Sequence, residues 1–128
     1  MTLIETLITV VILSLALLAL SGMQVSAFHV SKNSNQLTTA MISTQDTIEL
    51  LMSIDFKHSS LIDNTPPGES TRYEIETELN ISPPPGVHVN WTVDDQSGSM
   101  KLVNITTTWI DRGVEKSISL PLRRTSFQ

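Results

Sequence analysis

Glu5 is the residue of this chain whose type and setting most demand a partner. It is the only ionisable side chain in a run that opens Met1-Thr2-Leu3-Ile4-Glu5-Thr6-Leu7-Ile8 and stays almost wholly apolar to Leu20. A run of that length can cross a bilayer as a helix. A carboxylate inside such a span costs roughly 2.5 kcal/mol or more on insertion scales. Its natural partner is a positive charge on another copy of the chain, so the apolar run is a candidate assembly element. The other residues with chemical potential are weaker candidates. His29, His58 and His88 lie far apart with no ligand-like spacing, which points to surface or packing roles. Glu74, Glu76 and Glu78 alternate along one segment, with Asp94 and Asp95 expected near the sheet end. Calcium wants convergent oxygens, and alternating carboxylates read instead as a solvated strand face. Asn80-Ile81-Ser82, Asn90-Trp91-Thr92 and Asn104-Ile105-Thr106 fit the glycosylation sequon, but such triplets arise readily in a Thr-rich β domain. No nucleophile–base arrangement and no phosphate-cradling glycine loop is present. We therefore expect no catalytic residue, no metal site, no cofactor and no enzyme activity.

Bulk composition agrees with that expectation. The 128 residues suit one small domain with a helical extension, and the formal charge of -5 argues against nucleic acid as a default partner. The basic pair Arg123-Arg124 is too little to reverse that. With no cysteine, neither a disulfide framework nor a thiolate metal site can form, and packing alone must hold the fold. No Lys or Arg precedes Lys32, whereas a secretory signal begins with a basic segment. The chain is thus expected to be a processed form whose basic leader has been removed.

Several elements would position these residues. Residues 2–21 read as a helix that is apolar on all sides, as a lipid-embedded segment should be. Ser21-Gly22 follows, and glycine inside a helix costs about 1 kcal/mol relative to alanine, so a local loosening is expected there. From Met23 to about Phe56 the pattern remains helical, with Leu37, Met41, Ile48, Leu51 and Met52 on one stripe and Lys32, Asn35, Gln45, Asp46 and Glu49 off it. No proline interrupts residues 1–65, which predicts one long helix. Asp63-Asn64-Thr65-Pro66-Pro67-Gly68 marks a loop.

The period then switches to two. Tyr73, Ile75, Thr77, Leu79 and Ile81 alternate with charged and polar residues as a first strand, which Pro83-Pro84-Pro85-Gly86 ends. Val87, Val89, Trp91 and Val93 give a second strand, and Asp94-Asp95-Gln96-Ser97-Gly98 a turn. Met100 to Ile110 gives a third, with Val103, Ile105, Thr107 and Trp109 on one side. Asp111-Arg112-Gly113 reads as a tight hairpin turn. Val114 to Leu122 gives a fourth strand, with Val114, Ile118, Leu120 and Leu122 on one face. The expected fold is α+β: a long N-terminal helix with an apolar first half, and a four-stranded antiparallel sheet packed on its second half. The boundaries are residues 1–24 for the membrane or filament-core half of the helix and 25–128 for the head. Within the head the amphipathic helix runs to about 57, a loop covers 58–70 and an antiparallel meander covers 71–123.

Thr2-Leu3-Ile4-Glu5-Thr6-Leu7-Ile8, the apolar span to Leu20 and the long helix feeding a small sheet resemble a mature type IV pilin or pseudopilin. Val103-Asn104-Ile105-Thr106-Thr107-Thr108-Trp109-Ile110-Asp111, followed by Ser117-Ile118-Ser119-Leu120, is also similar to the last hairpin of V-type minor pilins and I-type pseudopilins. The resemblance implies a short basic leader removed by a prepilin peptidase that methylates the new N-terminus, which would be Met1 where the family more often has phenylalanine. It implies that Glu5 pairs with the Met1 amine of an adjacent subunit, with Thr2 hydrogen bonding near the same terminus. It further implies a single-pass protein of the bacterial inner membrane, extracted by a membrane assembly platform into an extracellular pilus or a periplasmic pseudopilus of itself and other pilins. Two departures stand out. Gly22 occupies the region where the family often has proline, and no disulfide can close a C-terminal loop, which favours the minor-pilin or pseudopilin side. The alternatives are a pseudopilin of a type II secretion system, or a membrane-anchored adhesion or binding module that acts singly.

Overall fold

The computed structural model describes residues 2–66 and 68–126. Helix α1 runs Leu3–Ser53, and strands β1 (Thr71–Glu74), β2 (Val87–Asp95), β3 (Met100–Asp111) and β4 (Val114–Thr125) form one sheet in the order β1-β2-β3-β4. All three pairings are antiparallel. The fold is α+β, with the sheet packed on the second half of the helix. The chain divides into two compact units, residues 1–35, helical from Leu3 onward, and residues 36–128, which hold the sheet and its core.

In the second unit the helix lies along β3 and runs antiparallel to it. Near its start, the Gln36 amide donates to the Ile110 carbonyl at 3.5 Å. In the middle, the Thr44 and Thr107 hydroxyls meet at 2.7 Å. At its end, Arg124, the β4 neighbour of Lys101, donates to the Leu51 carbonyl at 2.6 Å and to that of Ile54 at 3.0 Å. The last carbonyls of any helix lack intrahelical partners, and cations are favoured at that end. The last turn of α1 carries no basic residue, so β4 supplies the cap. Lys101 continues the clamp, donating to the Phe56 carbonyl at 2.7 Å and lying 4.4 Å from the centre of its ring. Burial lowers the pKa of its ammonium, Arg124 adds to that, and Asp95 and Asp55 oppose it.

The core is built from the helix-facing side of the sheet. Val87, Val89, Trp91, Val93, Val103, Ile105 and Trp109 are all buried, on the faces that strand alternation assigns. Tyr73 stacks on its cross-strand partner Trp91 with ring centroids 6.0 Å apart. The polar tips of both rings hold the turn Ser59–Leu61: Trp91 Nε1 donates to the Ser60 carbonyl at 2.9 Å, and the Tyr73 hydroxyl donates to the carbonyls of Ser59 and Ile62. Burial raises the Tyr73 pKa, with Glu78 and Asp63 adding to the effect.

Asp63 ties the following loop to the sheet. Its carboxylate accepts from the Thr65 amide and hydroxyl, from the Thr71 hydroxyl at 2.9 Å and from the Asp95 amide at 3.3 Å. The Thr65 hydroxyl does most to lower its pKa to about 2, burial pushes the other way, and the remaining donors reinforce the lowering. The β3–β4 turn places both Arg112 and Gly113 at positive φ, 52° and 77°, as the type I′ hairpin turn requires.

Three sequence expectations are corrected. First, the strand expected across Tyr73–Ile81 ends at Glu74, and Ile75–Glu78 forms a short helical turn, α2. Ile75 and Leu79 are spaced for a strand face and equally for one turn of helix. Since β2 begins only at Val87, the chain has to reverse before it, which it does through Asn80 at φ 52°. Glu76 and Glu78 therefore do not continue a strand row with Glu74.

Second, the helix does not bury the stripe of Leu37, Met41, Ile48 and Met52. Its sheet-facing arc is Ala40, Ser43, Thr44, Thr47 and Leu51. The Thr44 and Thr47 hydroxyls donate to the carbonyls four residues back, each at 2.7 Å, so these small side chains are buried without orphaned polar atoms. Of the expected stripe only Leu51 is buried and Ile48 is half-buried.

Third, of the β4 face expected to be apolar and covered, only Leu122 is buried, while Ile118 is half-buried and Val114 and Leu120 are exposed. One helix lying along β3 does not reach across the edge strand. Pro121 is tolerated there because an edge strand has one row of unpaired donors.

Candidate functional site

The first unit is helical from Leu3 to Asn35. Every described residue from Thr2 to Lys32 is exposed, and α1 is long and apolar enough to cross a membrane. The polar side chains of its apolar half fall into two groups. Thr6 donates to the Leu3 carbonyl at 2.8 Å, Thr9 to Glu5 at 2.7 Å, Ser14 to Val11 at 2.8 Å and Ser21 to Leu17 at 2.9 Å. Each hydroxyl is satisfied by the backbone of its own helix, which makes it compatible with an apolar medium.

Glu5 is the exception. Its carboxylate is exposed and has no hydrogen-bond or ion-pair partner among the described residues. It sits in the first turn, where the helix dipole favours a negative charge. Thr2 precedes the helix, and its carbonyl accepts from the amides of Glu5 at 3.0 Å and Thr6 at 3.4 Å. The two expected assembly residues are therefore joined through the backbone of the opening turn. Met1, whose amine was assigned the complementary role, lies outside the described residues.

The helix passes through Ser21 and Gly22 without a break, and a Cβ at Gly22 would meet nothing within 4 Å. The histidines are dispersed: His29 and His88 are exposed, while His58 Nδ1 accepts from the Ser60 amide at 3.2 Å to cap the turn. Among the described residues no group of three or more His, Cys, Asp or Glu could hold a metal ion.

Sequence reasoning missed a second surface in the head. Leu37, Met41 and Met52 are exposed, and on the helix-facing side of the edge strand β4, beyond the reach of α1, Val114 and Leu120 are exposed and Ile118 is half-buried. The signal is present in part in the sequence, as the apolar stripe that includes Leu37, Met41 and Met52. No protein-family model matches the chain, and no curated protein or solved structure was found to be similar to it.

Proposed function

We propose that this chain is a structural, non-enzymatic subunit of a type IV pilus or related filament, anchored in the bacterial inner membrane by residues 3–22 before assembly. The observation that carries the reading is the contrast within one apolar helix. Four hydroxyls are satisfied by their own backbone, and one carboxylate has no partner among the described residues.

A buried charge is destabilising when alone and tolerable when paired. The N-terminal amine of an adjacent subunit supplies the pair, so stacking of subunits relieves a penalty that each carries singly in the membrane. The apolar helices then bundle in the filament core and the β heads coat it. Leader removal and methylation of the Met1 amine by a prepilin peptidase, and extraction by an inner-membrane platform, complete the pathway. The filament is an extracellular pilus or, in the secretion variant, a periplasmic pseudopilus.

Replacing Glu5 with Ala tests this. Membrane insertion should persist, because the substitution makes the span more apolar, and filament yield should fall at least tenfold. Normal filament yield from the variant would remove charge pairing from the mechanism. A membrane-anchored module that acts singly would be indifferent to Glu5 and would bind its ligand through the head alone.

A further inference from the structure

We infer that the head carries a lateral apolar groove that receives the helix segment Met23–Val30 of a second copy of this chain. Helical geometry places the groove. At 100° per residue, Leu37, Met41 and Met52 lie about 60–120° to one side of the buried arc centred on Ala40, Thr44 and Thr47. The opposite flank of the helix, through Ser43, Asp46 and Leu50, lines a cleft with Ile75, Ile81 and Val89, on the β1–β2 side of the sheet. The Leu37–Met41–Met52 flank therefore looks toward β4. There β4 carries exposed Val114 and Leu120 and half-buried Ile118, with Lys116 between Val114 and Ile118 drawn to Asp111 at 2.7 Å.

The floor of this groove is half built. Ile118 and Ile48 pack against the core, whereas Met41 remains 51% exposed and Val114 61% exposed. Apolar side chains from a helix and an edge strand face solvent along one side of the head, while the polar residues Gln45 and Glu49 bond each other further round the helix.

The chain itself supplies the matching occupant. A span of about 20 residues accounts for the helix up to Ser21 or Gly22. The next turns lie on the aqueous side of such a span yet remain apolar: Met23, Val25, Phe28 and Val30 are all exposed, Phe28 by 75%. Between Met23 and Ser31 the only titratable side chain is His29. Small residues, Ser26, Ala27 and Ser31, alternate with the large ones there, which suits close approach of a second helix. An apolar helical segment outside lipid and an apolar groove outside the core each remove the other from water.

This inference rests on the filament reading and adds which surfaces of two copies meet. The absence of cysteine makes the test clean, because only introduced thiols react. Full-length copies carrying Phe28→Cys and full-length copies carrying Met41→Cys are produced together in one membrane and treated with a short bismaleimide. A parallel sample pairs Phe28→Cys with Glu115→Cys, an exposed control on β4. The expected result is a mixed 28–41 product at least fivefold above the control pair and above either like pair. A 28–41 yield no higher than the control overturns the groove. Filaments with no such product sink the groove and leave the filament reading standing; the product without filaments does the reverse. As a second variant, Met41→Glu should leave head folding unchanged by tryptophan fluorescence while reducing filament mass at least tenfold. Unchanged mass would also overturn the groove.

Discussion

Replacing Arg124 with Met tests how the head grips the end of its helix. The last turn of α1 leaves the Leu51, Met52 and Ser53 carbonyls to find partners, because the Leu50 carbonyl already accepts from the Ile54 amide at 3.2 Å and from the Ser53 hydroxyl. Arg124 bonds Leu51 at 2.6 Å and Ile54 at 3.0 Å, with a longer approach to Met52 at 3.5 Å. Leu51 is fully buried, so its carbonyl has the poorest access to water when the guanidinium is removed. An acceptor stranded in that way costs about 1–3 kcal/mol. Loss of the cation at the negative end of the helix adds about 0.5–1 kcal/mol. The more exposed Met52 and Ile54 carbonyls can be hydrated and add little. The total is about 1.5–4 kcal/mol, or a fall in melting temperature of roughly 6–30 °C for a domain of this size. Arg123→Met, one residue away and exposed, should stay within about 0.5 kcal/mol. The assay is thermal unfolding of the full chain in detergent, read through Trp91 and Trp109, which both lie in the head core. If the two variants melted within a degree or two of each other, the β4 cap would not be holding the helix.

The buried hydroxyl pair should behave as a unit. Thr44→Val strands the Thr107 hydroxyl and should cost about 1–3 kcal/mol, whereas Thr44→Val with Thr107→Val should recover most of that loss in a double-mutant cycle read by urea unfolding. Asp63 makes the head acid-sensitive in a defined window. Its folded pKa lies at about 2 against an ordinary 3.8, so its stabilisation is complete above about pH 4 and is lost as pH falls toward 2. Asp63→Asn should flatten stability across that window, as followed by fluorescence during acid titration. Trp91→Phe keeps the ring in the core but removes the donor to the Ser60 carbonyl, and should cost about 1–2 kcal/mol by the same unfolding assay.

Much of the head was legible because strands with one covered face announce themselves by alternation. Val87 to Val93 and Val103 to Trp109 have their inward residues where period two puts them, and Arg112-Gly113 forms the turn expected of it. Reading failed where one residue set satisfies two geometries. Ile75 and Leu79 suit both a strand and a helical turn, and only the late start of β2 decides between them. It failed again on the helix, because hydrophobicity alone ranks Met41 above Thr44 as a core residue. Thr44 is buried because its hydroxyl bonds its own helix and a partner on β3, a relation between positions 63 residues apart. Arg124 was invisible as a helix cap for the same reason, lying far along the chain from the carbonyls it meets. In the candidate site, Glu5 stands out by its type and setting alone, since a charge among apolar residues needs no tertiary contact to be noticed.

The filament claim is tested most directly by a cryo-electron microscopy map of the assembled polymer, resolved well enough to place side chains in its core. The proposal predicts the Glu5 carboxylate within about 4 Å of the N-terminal amine of a neighbouring subunit, inside a bundle of apolar helices. A polymer in which Glu5 faces solvent, or packs among apolar side chains with no amine near it, would contradict the proposal.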